Sequence, residues 1–151
     1  MSVSKQGVWI DCKALLFLTY QLNNVLSNKD RILFGDKLIQ SNLSMIESFA
    51  MTYHRADERI VYDNGDKIYE GVIKGCKQIE VDRLRSHFET YKAIWEFVFD
   101  NITTSRWSAE KRARKEAEFV ALLVKIETGI NKWRMSIYKQ VVISVKGHNP
   151  A

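Results

Sequence analysis

The side chains that most often carry chemistry are few and badly spaced for it. The imidazoles are His54, His87 and His148, and none stands in an HxxxH or HExxH pair that would set two ligands on one helix face. No Glu-x-x-His occurs, which disfavours a di-iron carboxylate site. Glu47, Glu80, Glu96 and Glu127 have the spacing of ordinary solvated helix faces. The phosphate-cradling GxxxxGK[ST], the dinucleotide GxGxxG and the nucleophile-elbow GxSxG are all absent. No nucleophile has a base placed to activate it. The expectation is a protein without a catalytic residue, metal site or cofactor.

The informative segment is basic. "SRWSAEKRARKEAEF" holds Arg106, Lys111, Arg112, Arg114 and Lys115, most of them in the first turns of an expected helix. That end of a helix dipole is already positive, so cations there are locally unfavourable by a few tenths of a kcal/mol, ~0.3 or more. An anion placed there would meet both the side chains and the unpaired backbone N–H groups. Lys125, Lys132, Arg134 and Lys139 continue the positive face. Contacts of this type hold phosphates, with strong salt dependence and little sequence reading. Trp107 and Tyr138 lie close enough in sequence to stack on unpaired bases or to cap a core. A solvated helix face is the competing reading of the same residues.

The charge distribution favours a polyanionic partner. Residues 1–104 carry 13 Lys/Arg against 14 Asp/Glu, whereas residues 105–151 carry 10 against 4. The net +5 thus belongs to the last third.

The elements that must position these residues are helices. The one proline, Pro150, leaves the interior without proline breaks. Leu15, Leu18, Leu22 and Val25 mark a first helix over 11–27, and Ser27 or Asp30 is the next N-cap. Gly35, Ile39, Asn42, Ile46, Phe49 and Tyr53 mark a second over 31–57. Gly35 on its inward stripe implies close approach by another segment. "ERIVYDNGD" at 58–66 reads as a hairpin or a loop, and a loop is the expectation. Leu84, Phe88, Tyr91, Trp95 and Val98 mark a third helix over 67–99, weakened at its start by Gly71 and Gly75. The "GVIKG" these glycines frame reads as local close packing. Phe119, Leu123, Ile126, Ile130, Trp133 and Ile137 give the clearest heptad, in a fourth helix capped by Ser105 or Ser108. The tail "VVISVKGHNPA" is open between strand, docked arm and disorder.

The expected architecture is an all-α, up-down-up-down four-helix bundle over 11–139, with an extension at 1–10 and a tail at 140–151. Cys12 and Cys76 match no zinc spacing and read as reduced core thiols. No apolar run reaches the ~18 residues of a membrane span, and the N-terminus lacks a secretory pattern, so the expected location is cytoplasmic. Ile94, Phe97, Phe99, Val120 and Leu122 fall outside the main stripes and imply either a wider core or an interface between copies.

"KDRILFGDKLIQSNLSMIESFAMTYHRAD", residues 29–57, resembles the second helix of a four-helix bundle family, with Arg31, Leu33–Phe34 and Gly35 at its opening. That family includes proteins of 23S rRNA intervening sequences and the accessory variability determinant (Avd) of diversity-generating retroelements. "FVALLVKIETGINKWRMSI", residues 119–137, resembles its last helix, with Gly129 and Trp133 near the end. The Avd branch is the nearer one. The resemblance implies a homopentameric barrel that binds a reverse transcriptase and template-repeat RNA and supports mutagenic cDNA synthesis, with no catalytic centre. It implies polymerase contacts on the third helix, where Arg83, Arg85 and Lys92 stand, with Glu89 as an acidic departure. The alternative is an interaction bundle of the rRNA-insert type without a polymerase.

Overall fold

The computed structural model describes residues 7–54, 58–63, 67–73, 75–139 and 142–147, with side chains described over 7–53 and 77–137. Four long helices carry the core. They are α1 (Gly7–Val25), α3 (Asp36–His54), α4 (Gly75–Asn101) and α5 (Ala109–Lys139). α1 packs on α3 and α5, and α4 packs on the same two. A single turn, α2 (Asn28–Asp30), and a π-helical turn, Arg31–Gly35, lead directly into α3. Ser27 is the N-cap, accepting from the Asp30 amide at 3.2 Å.

The π turn explains the glycine that the helix retains. Gly35 is buried, and a Cβ there would collide with the Asn23 carboxamide of α1. Its missing side chain lets the end of α1 lie against the turn. Arg31, four residues earlier, donates from Nε to the Asn23 carbonyl and from Nη2 to the Asn24 carbonyl, both at 2.8 Å. It thereby caps the end of α1, engaging the Asn24 carbonyl and sharing the Asn23 carbonyl with the Leu26 amide. Gly129 does a similar service for Val8, whose Cγ2 would lie 2.6 Å from an added Cβ.

The core follows three expected stripes closely and one at a slight rotation. Leu84, Phe88, Tyr91, Trp95 and Val98 of α4 are buried, as are Phe119, Leu123, Ile126, Ile130 and Ile137 of α5. In α3 the innermost residues are Leu38, Asn42, Met45, Ser48, Phe49 and Thr52, whereas Ile39, Ile46 and Tyr53 stand half-buried on the flank. Thr52 hides its polarity by donating to the Ser48 carbonyl at 2.7 Å. A polar group crosses the centre. Thr19 Oγ1 donates to the Leu15 carbonyl at 2.7 Å, stands 2.7 Å from the Tyr91 hydroxyl, and lies 3.2 Å from Asn42 Oδ1. Asn42 Nδ2 donates to the Cys12 carbonyl at 3.1 Å. Three helices are therefore pinned to one register.

Three expectations are corrected. Residues 58–63 of the connection are not a loop, and 64–66 lie outside the described residues. β1 (Glu58–Asp63) and β2 (Lys67–Ile73) form an antiparallel hairpin, with Tyr62 opposite Tyr69. β3 (Val142–Gly147) pairs antiparallel with β2, placing Val145 opposite Tyr69 and completing the sheet order β1-β2-β3. The third helix accordingly begins at Gly75 and not at 67, because β-branched and aromatic residues at 68–73 favour a strand. The first helix begins at Gly7, so residues 7–10 belong to it and not to an extension. The four helices stand where the spacing puts them, and the small sheet is added to that frame.

Among the residues outside the main stripes, Phe99 is buried and Ile94 and Leu122 are half-buried against the core. Phe97 and Val120 are exposed. Cys12 is a free, buried thiol, and burial with nearby Asp11 pushes it from 9.0 to about 12. The side chain of Cys76 lies outside the described residues. No helix among the described residues is long and apolar enough to cross a membrane.

Candidate nucleic-acid interface

The basic segment folds around two helix ends. Ser108 caps α5, accepting from the Lys111 amide at 3.1 Å, and the Trp107 amide donates to the Thr104 carbonyl at 3.0 Å. These bonds fix the turn that sends neighbouring cations in different directions. Arg106 reaches the end of α1, where its Nη1 lies 3.4 Å from the Asn24 carbonyl that Arg31 also engages. Lys115 Nζ donates to Gln21 Oε1 at 2.9 Å and pairs with Glu118 at 3.3 Å. Gln21, Asn24, Trp107, Lys111 and Lys115 line an open pocket of about 230 Å³. Lys111 and Arg114 are exposed.

Arg112 points the other way and supports its own chain. Its Nη2 donates to the Phe99 carbonyl at 2.7 Å, and its Nη1 to Ile102 O at 3.0 Å and Thr104 Oγ1 at 2.8 Å. The guanidinium carbon also sits 5.1 Å from the Phe99 ring centroid. That fork satisfies carbonyls at the end of α4 and leaves little of Arg112 for a phosphate. Trp107 is only 9% exposed, so its faces are part of the protein wall and not a base-stacking platform. The side chains of Tyr138 and Lys139 lie outside the described residues, as do those of His54 and His148.

Further along α5 the cations divide between its two neighbours. Lys111, Lys115, Lys125 and Lys132 follow the seam with α1, where they line cavities shared with Gln21, Phe17 and Val8. Arg134 turns to α4 and places Nε 2.9 Å from Asp82 Oδ1. The expected single face from 106 to 139 is therefore a lysine seam, with Arg112 and Arg134 directed away from it.

The third-helix cations are partly engaged as well. Arg83 pairs with Glu80 at 3.2 Å, and Lys92 reaches Glu127 of α5 at 3.6 Å. Arg85 and Glu89 are exposed. The Lys92–Glu127 pair is exposed on both sides and stabilises by about 0–1 kcal/mol, whereas Arg83 is the exposed partner of a buried Glu80. Among the described residues no group of three or more His, Cys, Asp or Glu side chains is placed to hold a metal ion.

Two features of the site's surroundings escape a reading of the sequence. Arg31 as a cap on α1 depends on a contact between helices that spacing within one helix does not encode. Phe17 belongs to the α1 sequence between buried Leu15 and Leu18, yet it is 66% exposed beside the lysine seam. Its position off the Leu15–Leu18–Leu22 stripe is the available signal. No protein-family model, curated protein or solved structure matches the chain.

Proposed function

We propose that this chain is a non-catalytic accessory subunit of a diversity-generating retroelement, binding a reverse transcriptase and its template RNA to support mutagenic cDNA synthesis. The observation that carries the RNA part is the exposed cationic group at the start of α5. There Arg106, Lys111 and Arg114 surround the capped turn, and the lysine seam continues from it. The family-like opening of the second helix and ending of the last support the rest, since Arg31, Gly35 and Gly129 each make the close helix approaches described above.

The proposed architecture is an up-down-up-down bundle. It is supported by end-to-end pairings: Gln21 with Lys115, Val8 with Gly129, Phe34 with Phe97, and Arg134 with Asp82. Assembly into a homopentamer is proposed on the resemblance. Exposed Phe97, Val120 and Val124 are consistent with interfaces between copies. Arg83, Arg85 and Lys92 remain the proposed polymerase-facing cations.

The test joins association to electrostatics. Purified chain and polymerase are mixed with and without RNA at low salt, and copurification is expected. Replacing Arg106, Lys111 and Arg114 by Ala should flatten the plot of log K against log salt by about 0.7 for each phosphate that those cations neutralise. An unchanged slope removes those residues from the interface, and absence of any polymerase complex overturns the reading. The engagement of Arg112, Arg134, Arg83 and Lys92 with groups of their own chain favours a second reading. In it, the chain is an interaction bundle of the rRNA-insert type. A monomer in sedimentation that ignores RNA fits only that alternative.

A further inference from the structure

Between α1 and α5 lies an open groove of about 470 Å³, lined by Ala14, Phe17, Leu18, Lys115, Ala121 and Leu122, with Lys125 and Glu118 at its edge. Its lining is unlike the cationic turn above it. The two alanines leave the floor low, and Phe17 stands beside it with two-thirds of its surface in solvent. Lys115 and Lys125 are ten residues apart on α5, about 15 Å along the axis. Lys13, exposed one turn before Phe17, adds positive charge on the α1 side.

We infer that this groove is a docking site for an acidic amphipathic helix of a partner protein. The apolar floor needs an occupant with apolar side chains at helical spacing, and the lysines on both margins select carboxylates beside that stripe. A length of about 15 Å matches roughly three turns of such a helix. RNA fits this surface poorly. A phosphate backbone has no apolar group to bury on Phe17, Leu122 and the alanines. The inference shares Lys115 and Lys125 with the lysine seam of the RNA reading but rests on the apolar floor, which the RNA reading does not use.

The experiment uses the full chain and a designed helical peptide with Leu and Phe at i, i+3, i+4 and i+7 and Glu flanking them. Its controls are the same peptide with Lys replacing Glu, a scrambled acidic peptide and a single-stranded RNA. Backbone amide shifts are followed by NMR during each titration. The acidic helix should bind saturably and shift residues of α1 near 14–21 and of α5 near 115–125. Phe17→Ala should weaken it about tenfold, as for truncation of an aromatic anchor, and Lys125→Glu should weaken it in a manner that added salt reduces. Phe17 is exposed, so its variant keeps the core, and an unchanged amide spectrum elsewhere checks this. The inference is overturned by any of four results. These are no saturable binding of the acidic helix, equal binding of the lysine peptide, full displacement by RNA, or groove shifts that track protein concentration alone. The last would assign the groove to a second copy.

Discussion

Arg112→Ala should unfold the chain more easily while barely changing its affinity for RNA. The side chain donates to two carbonyls and one hydroxyl, at 2.7–3.0 Å, where α4 ends and α5 begins. Such bonds contribute about 1 kcal/mol each after exchange with water. The stack on Phe99 adds about 0.5 kcal/mol or more. Half-buried Arg112 is in partial contact with water, which can replace some of these bonds, so the expected loss is about 2–3 kcal/mol. For a domain of this size that lowers the melting temperature by about 5–10 °C. Arg112→Lys keeps a charge but not the planar fork, and should lose about half as much. The assay is urea and thermal denaturation followed by circular dichroism, beside RNA titrations at several salt concentrations. A variant that melts like the parent, but whose salt slope is flatter by the equivalent of one phosphate, would refute the assignment. It would return Arg112 to the nucleic-acid face.

Two further perturbations test the fold. Gly35→Ala should destabilise, although alanine is better than glycine in a helix by about 1 kcal/mol, because the new Cβ meets the Asn23 carboxamide. In an Asn23→Ala background most of that loss should disappear, leaving only the tight contact with Leu26 Cδ1 at 3.2 Å, and chemical denaturation of the single and double variants reads it. Cys12 makes stability fall at alkaline pH. Its folded-state pKa is raised from 9.0 to about 12, so the native state holds a proton that the unfolded chain releases. Stability is complete below pH 9, declines as pH rises toward 12, and does so at up to about 1.4 kcal/mol per pH unit. Burial raises Tyr91 too, against the pull of its Thr19 hydrogen bond, so its contribution follows above pH 10. Cys12→Ala should flatten the slope between pH 9 and pH 10, measured by urea denaturation, and an unaltered slope would rule the thiol out.

The four-helix frame is legible because apolar spacing is a local property that burial obeys. Leu84 through Val98 and Phe119 through Ile130 sit where their period puts them. The rotation of α3 is not legible, since Ser48 and Thr52 look polar until Thr52 bonds back to the Ser48 carbonyl. The strand at Lys67–Ile73 is hidden because "KIYEGVIKG" runs on into a true helix without a proline or capping residue to mark the change. Its signal is the alternation opposite "RIVY", and pairing with β3 from the far end of the chain adds a contact that no local pattern reports. At the candidate site, the density of cations is visible in the sequence, but not their directions. Neighbours in "KRARK" point to α1, to α4 and to solvent, and only the packing of three helices decides which.

The placement of α1 also removes the apparent penalty of cations at the start of α5. The last carbonyls of α1 carry the negative end of its dipole, and Arg31, Arg106 and Lys115 gather there. A cation at this junction therefore faces a positive helix end and a negative one together, and its retention needs no ligand to explain it. The charge excess after residue 104 overstates what a polyanion would meet. Arg112, Lys115 and Arg134 each have groups of their own chain within bonding distance. Among the described residues, the more accessible cations of α5 are Lys111, Arg114, Lys125 and Lys132. Four phosphate contacts correspond to a salt slope of about 3 for single-stranded RNA. Exposed Arg106 raises this to about 3.5, and a markedly steeper slope would point to further cations, from elsewhere on the chain or from a second copy, acting on the same strand.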